Sequence, residues 1–386
     1  MLAGLLEASH LATFDDLGGL LARHGAEAGL TDVVAHIADL REEHLVRLDD
    51  AEQRLAIDAT AAGWAFRNVE VVTGQSSLWV PLLDGTERIG VLSATVSDGG
   101  TEAVTALRAL ASLAALLIVS KRPHSDSYPA LVRSRPMSLP SEVVWPLMPP
   151  LTFATKDLAV AGALEPAYEI GGDAVDYAVS PDLLHLSIFD AMGHDQSAGL
   201  TVAVATGACR NTRRQGGGLA ETSDVVDDAI ARQFDRKRFA TGILAHVRPS
   251  TGLLTWVNRG HPPPLLIRQG RWLTTLRCPP APPMGFALGI PAIECRYQLE
   301  PGDRVLFYTD GIIEARDDMG HQFGLRRFAD LVARGAVDGY PAPETLRRLM
   351  RAVLAHQHGR LQDDATALLL EWRGDQQRRM TLTGGG

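Results

Sequence analysis

Leu186-Ser-Ile-Phe-Asp-Ala-Met-Gly-His194 is an apolar run that stops at an aspartate and a Met-Gly turn. A strand buried on both faces reads in this way, and the chemistry of such a fold tends to sit where the run ends. Three other stretches repeat the pattern: Glu169-Ile-Gly-Gly-Asp-Ala-Val-Asp176, Val305-Leu-Phe-Tyr-Thr-Asp-Gly311 and Asp363-Asp-Ala-Thr-Ala-Leu-Leu-Leu370. One aspartate beside a glycine is ordinarily a turn residue. Asp173, Asp190, Asp310 and Asp363 differ in their order, spacing and neighbours taken together. Four carboxylates delivered by four strand ends can converge on one point, and an all-oxygen set suits hard divalent cations such as Mg²⁺ or Mn²⁺. Two such ions hold and activate a water for attack on phosphorus. The residues thus point to a metal-dependent phosphate hydrolase.

Five ordered blocks carry a resemblance. They are Gly171-Gly-Asp-Ala-Val-Asp176, Asp190-Ala-Met-Gly-His194, Asn258-Arg-Gly-His-Pro-Pro-Pro264, Tyr308-Thr-Asp-Gly311 and Asp363-Asp-Ala-Thr366. Together they resemble the SpoIIE-type, RsbU-like branch of the metal-dependent protein phosphatase (PPM) superfamily. The resemblance implies an α+β fold, a PPM-type β-sandwich of two antiparallel sheets flanked by helices. It implies two Mn²⁺ or Mg²⁺ ions held by Asp173, Asp190, Asp310 and Asp363, with Asp190 bridging and the carbonyl of Ala191 adding a ligand. These four aspartates are the expected catalytic residues, through direct attack by water with no phosphoenzyme. Gly172 and Gly311 let backbone and metal approach closely. Asp176 and Asp364 are expected to orient the ligands from behind. Asn258, Gly260 and His261 are expected to shape a hairpin turn, and Arg259 to meet substrate.

The blocks also depart from the family. Ala174-Val175 replaces the usual aromatic pair, and Asp195 follows His194 where glycine is common. Met192 fills the place where eukaryotic relatives have a proposed general acid, so His194 is given no such role. No arginine lies between Lys156 and Gly171, where those relatives keep a phosphate-binding one. Leaving-group protonation and phosphate binding therefore have no assigned residue.

The bulk properties set the frame. A chain of 386 residues is long enough for two domains. Its net charge of −9 argues against nucleic acid as a main partner. Cys209, Cys278 and Cys295 show no C-x-x-C spacing and cannot all pair, which suits a reducing compartment. No Lys or Arg precedes Arg23, so no basic signal-peptide start is visible. The apolar stretch from Ala109 to Val119 is too short to cross a bilayer. These readings predict a cytoplasmic protein with no membrane segment.

Four segments are expected. Residues 1–122 alternate helix and strand patterns, with Leu78-Trp-Val-Pro-Leu-Leu83 and Ile89-Gly-Val-Leu-Ser-Ala-Thr95 reading as a hairpin. Their order resembles a GAF-like α/β sensory domain, open to a small ligand or an upstream signalling partner. A thioether-linked bilin is excluded there because no cysteine precedes Cys209. The apolar helix from Glu102 to Ser120 offers a surface to a second copy, so a homodimer is one expectation. Residues 123–150 read as a Pro-rich connector, 151–375 as the phosphatase domain and 376–386 as a flexible tail.

The preferred reading is a phosphoserine/phosphothreonine protein phosphatase governed by its N-terminal domain. The resemblance further implies a phosphorylated anti-anti-sigma factor of the STAS type as substrate, in a partner-switching stress or developmental pathway. Two alternatives stand beside it. One is a catalytically silent sensor or scaffold that keeps the fold, and the other a metal-dependent hydrolase of another phosphate ester.

Overall fold

The computed structural model describes residues 1–374 apart from 75–76, 96–99, 170, 194 and 360. The tail at 376–386 and His194 thus lie outside the described residues. Contacts divide the chain into two units, Met1–Pro136 and Met137–Gly386.

In the first unit, α1 (Leu2–Ser9) and α2 (Leu17–Ala26) precede β1 (Thr31–Ala38), β2 (His44–Arg47) and β3 (Asp50–Ala56). Then come α3 (Ala61–Asn68), β4 (Val72–Thr73), β5 (Ser77–Asp84), β6 (Glu87–Thr95), α4 (Thr101–Lys121) and α5 (Ser127–Val132). The strands form one antiparallel sheet in the order β3-β2-β1-β6-β5-β4. Alternation of side chains splits its apolar residues between two faces. Ile37, Val80 and Leu92 pack with α1, α2 and α4, while Leu45 and Val91 pack with Phe66 of α3.

The helix α4 matches the apolar helix expected from Glu102 to Ser120, with one more residue at each end. Thr101–His124 is long and apolar enough to span a membrane. The same helix buries Leu107, Leu110, Ala111, Ala114, Ala115, Leu117 and Ile118 in the core of its own unit. Leu116 is exposed.

The second unit opens with α6 (Leu139–Val144), then β7 (Thr152–Ala154), β8 (Leu158–Glu165), β9 (Asp173–Ser180) and β10 (Leu183–Ala191). Two helices, α7 (Gln196–Arg214) and α8 (Leu219–Gln233), lead to β11 (Ala240–Arg248), β12 (Leu253–Arg259), β13 (Leu265–Arg268), β14 (Arg271–Thr275) and β15 (Cys295–Gln298). The chain closes with β16 (Arg304–Tyr308), α9 (Asp310–Glu314), α10 (Leu325–Val337), α11 (Ala342–His356) and β17 (Ala365–Trp372). Proline keeps the elements of the expected connector short. The boundary between units falls inside it, with α5 on one side and α6 on the other.

Two antiparallel sheets face each other, ordered β15-β12-β11-β10-β9 and β14-β13-β16-β17-β8-β7. Strand periodicity explains the layering. Leu186 and Ile188 of β10 point between the sheets against Val305 and Phe307 of β16 and Leu368 and Leu370 of β17. Phe189 and Ala191, one residue out of phase, meet Val202 and Ala205 of α7. On the far side, Leu306, Tyr308 and Leu369 meet Phe328, Leu346 and Val353 of α10 and α11. Each helix presents one apolar stripe, so the result is a helix–sheet–sheet–helix stack.

The pairing of the cysteines was left open by their spacing. Cys278 and Cys295 are joined in a disulfide, and Cys209 alone is free and buried. Spacing along the chain carried no sign of this, because the chain loops back over a separation of 17 residues to place Cys295 on the edge strand β15.

Candidate metal centre

Four inward-facing columns of the sandwich change character at the same rim. On β10 the series Leu186, Ile188 ends in Asp190, and on β9 Tyr177, Val175 ends in Asp173. On the opposite sheet Val305, Phe307 is followed by Thr309, and Leu370, Leu368 by Thr366. Asp173 and Asp190 stand directly opposite one another in the β9–β10 ladder, which puts both side chains on one face. Asp310 opens α9 just beyond Thr309, and Asp363 and Asp364 lie just before β17. The strands that build the apolar core therefore also deliver the acidic groups.

A hydrogen-bond net holds this rim. The Thr309 hydroxyl donates to Asp173 Oδ2 at 2.8 Å and accepts from the Thr366 backbone N–H at 2.9 Å. One hydroxyl therefore braces a carboxylate of the first sheet against the second. Asp364 Oδ2 accepts from the backbone N–H groups of Gly171 at 2.9 Å and Gly172 at 2.7 Å. Asp363 Oδ1 accepts the Asp364 N–H at 2.9 Å. Ala191 N donates to the Gly172 carbonyl at 2.7 Å.

Two glycines are dictated by close approach. A Cβ on Gly172 would lie 2.5 Å from the Gly193 carbonyl oxygen and 2.8 Å from that of Ala191. On Gly311 it would lie 2.0 Å from the Asp364 carbonyl oxygen.

Burial and mutual repulsion raise four of the acids. Asp173 lies well above the usual carboxylate range, first because it is buried and then because Asp190 and Asp364 face it. Asp190 is pushed up to about 8 by burial and by Asp310, Asp363 and Asp364. Burial, Glu314 and Asp363 raise Asp310. Burial also raises Asp364, against the two glycine N–H groups that favour its charge. A crowded, partly buried set of this kind favours its protonated form until a cation offsets the repulsion.

The donor chemistry fits a hard divalent cation, since every side-chain donor is a carboxylate oxygen. The spacing is wider than a one-ion cage. Among the described residues the trio whose donor atoms all lie within 4.8 Å of one another is Asp39, Glu43 and His44 of the first unit.

Several sequence expectations change in the fold. Asp176 does not face the acidic rim: its oxygens take Arg210 at 2.7 Å and Arg213 at 2.8 Å, pinning α7 to β9. It lies on the helix-facing side of β9, out of phase with Asp173, so it cannot orient the ligands. Arg259 is buried and does not meet substrate. Its guanidinium bonds to Ser223 and Asp224 of α8 and to the Ile290 carbonyl at 3.3 Å. Asn258 does close a turn, bonding the His261 N–H and carbonyl at 2.8 Å each. His261 is fully enclosed, its Nδ1 2.8 Å from the Thr241 hydroxyl, and burial lowers its pKa to about 3.

Thr309 is the participant that sequence reasoning passed over. It stood inside the Tyr-Thr-Asp-Gly block, but its partners Asp173 and Thr366 are 136 and 57 residues away.

The family model of Stage II sporulation protein E (SpoIIE) matches residues 180–373, just over half of the chain. Among solved structures, the chain is similar to the RsbU and RsbW domains of a Mycobacterium tuberculosis protein at 26% identity, covering 56% of this chain and 62% of that one, with a TM-score of 0.49. It is similar to the SiaA PP2C domain of Pseudomonas aeruginosa at 21% identity, covering 55% and 85%, also with a TM-score of 0.49. The SpoIIE PP2C phosphatase domain of Bacillus subtilis, with a fragment of its regulatory domain, matches at 15% identity, covering 57% and 64%, with a TM-score of 0.47. The chain thus spans less than two thirds of the first and third of these. Its match to the family model extends from the end of β9 through β17 and takes in Asp190, Asp310 and Asp363; this chain belongs to the SpoIIE family.

Proposed function

We propose that the chain is a metal-dependent phosphoserine/phosphothreonine protein phosphatase. One observation carries the reading: four inward-facing columns, two from each sheet, turn from apolar to acidic or hydroxyl-bearing at the same rim. Clustered, partly buried carboxylates are costly for stability, and a fold keeps them where a cation or a reaction uses them.

In this reading Asp173, Asp190, Asp310 and Asp363, with the Ala191 carbonyl, hold two Mn²⁺ or Mg²⁺ ions. When bound, the ions supply positive charge for a phosphoryl oxygen and lower the pKa of a water. Thr309 keeps Asp173 aimed at the rim, and Asp364 ties the Gly171-Gly172 turn to the start of β17. Gly172 and Gly311 keep the backbone close enough for the acids of both sheets to share one site.

Family membership further supports a phosphorylated STAS-type anti-anti-sigma factor as substrate, and the first unit as a GAF-like sensory domain that sets the rate. We place the domain limits at 1–122 and 151–375, with the connector between.

The test is Mn²⁺-dependent hydrolysis of a phosphoserine protein and of p-nitrophenyl phosphate by the full chain, with chelator and Asp310→Ala as controls. Turnover abolished by both controls is expected. Metal binding without turnover would instead favour the silent-scaffold reading, and absence of metal binding would refute the assignment of the four aspartates.

A further inference from the structure

A cleft of about 210 Å³ opens directly beside the acidic rim. Asp310 and Asp363 form one side, and Glu314, Arg316, Gln357 and Gln362 complete it. Arg316 is the basic residue of this lining. Its Nη1 donates to the Gly320 carbonyl at 2.9 Å, and among the described residues no carboxylate lies within ion-pair distance of it. Three other arginines of this unit are engaged. Arg238 is held by Asp195 at 2.9 Å and the Met192 carbonyl at 3.1 Å, while Arg210 and Arg213 are held by Asp176.

The backbone beneath Arg316 is built rather than loose. Gln357, nearly buried, donates from Nε2 to the Arg316 carbonyl at 3.2 Å and accepts the Gln362 N–H at 3.3 Å. Arg316 also pairs with Gln322 in an isolated bridge. An arginine with donors to spare, fixed at its backbone and placed across a narrow cleft from cation-binding acids, is suited to an anion that the cations also attract. The guanidinium fork matches the oxygens of a phosphoryl group.

We infer that Arg316 holds the phosphoryl group of the substrate, and the phosphate product, in the cleft beside Asp310 and Asp363. This rests on the phosphatase reading above, and it supplies the phosphate-binding residue for which the sequence offered no candidate.

The experiment uses the full chain loaded with Mn²⁺, with p-nitrophenyl phosphate as substrate and inorganic phosphate as product inhibitor. Arg316→Gln should raise KM and the phosphate inhibition constant about ten- to hundredfold, the range for losing a charge-assisted hydrogen bond. Arg316→Lys should raise them less. Mn²⁺ affinity by calorimetry and the melting temperature should not move, since Arg316 is exposed and a purely structural role would not split KM from kcat. KM and inhibition constant within twofold of wild type in Arg316→Gln would overturn the inference and leave the phosphatase reading intact.

Phosphate binding is also read without turnover, from phosphorus NMR relaxation by bound Mn²⁺. If the wild type binds phosphate but turns nothing over, and Arg316→Gln loses that binding, the subsite stands while the phosphatase reading fails. If phosphate binds equally to both proteins, or to neither, the subsite assignment is wrong.

Discussion

Lowering the pH should weaken cation binding steeply, and the structure sets how steeply. Asp190, proposed to bridge the two ions, is pushed up to about 8 in the metal-free protein by burial and by three neighbouring carboxylates. A ligand must lose its proton before it binds a cation, so each bound ion displaces protons. With a pKa of about 8, roughly half of Asp190 is ionised at pH 8 and about 1% at pH 6. This group alone predicts an apparent Mn²⁺ affinity about fiftyfold weaker at pH 6 than at pH 8. Asp173, raised for the same reasons, steepens the fall.

The stability of the metal-free protein should move the other way. A carboxyl whose folded pKa lies above its unfolded value contributes fully below the unfolded pKa. That contribution is lost as pH rises through the folded one. The melting temperature without metal should therefore fall from pH 5 to pH 8, and Mn²⁺ should reverse the fall. Calorimetric titrations at pH 6, 7 and 8, in buffers of different ionisation heat, measure affinity and proton release together. An affinity changing less than about fivefold over that range, with no protons released, would refute the electrostatic account of the rim.

Three substitutions test the framework around it. Thr309→Val keeps the shape but strips the brace from Asp173 and leaves the Thr366 N–H unpaired. It should cost about 2 kcal/mol in urea unfolding and weaken Mn²⁺ binding about tenfold, with Thr309→Ser restoring both. Gly311→Ala drives a methyl to within 2.0 Å of the Asp364 carbonyl and should cost about 2–3 kcal/mol while disordering the metal titration. Asp176→Ala releases Arg210 and Arg213 and should cost about 3 kcal/mol, yet leave Mn²⁺ affinity within threefold. A large loss of metal affinity in that variant would restore Asp176 to the centre.

Much of the architecture is local information. The apolar runs at 183–189 and 365–372, the hairpins at 241–257 and 265–276 and the striped helices at 197–213 and 343–356 follow from periodicity over short windows. The acidic positions could be named for a related reason, since each sits beside a strand end and within a short recognisable block. Elements without a strong pattern were passed over, among them β15, whose Cys295 joins Cys278. The polar, largely exposed strand β3 is another, because its pairing with β2 comes from the ladder rather than from burial.

Which acids act together is a tertiary matter. Asp173 and Asp176 look equivalent in the sequence, three residues apart and both in the Gly-Gly-Asp block. On a strand an odd separation sends them to opposite faces, one to the acidic rim and one to the arginines of α7. Arg259, expected from its place in a turn motif to meet substrate, is enclosed because α8 supplies its partners. Thr309 gains its role only when two sheets close over one hydroxyl. The sequence by itself determined the strands, the helices and the supply of carboxylates, because those depend on residues a few positions apart. The sharing of one rim was decided by packing, because it depends on side chains that meet across 50 to 140 residues of chain.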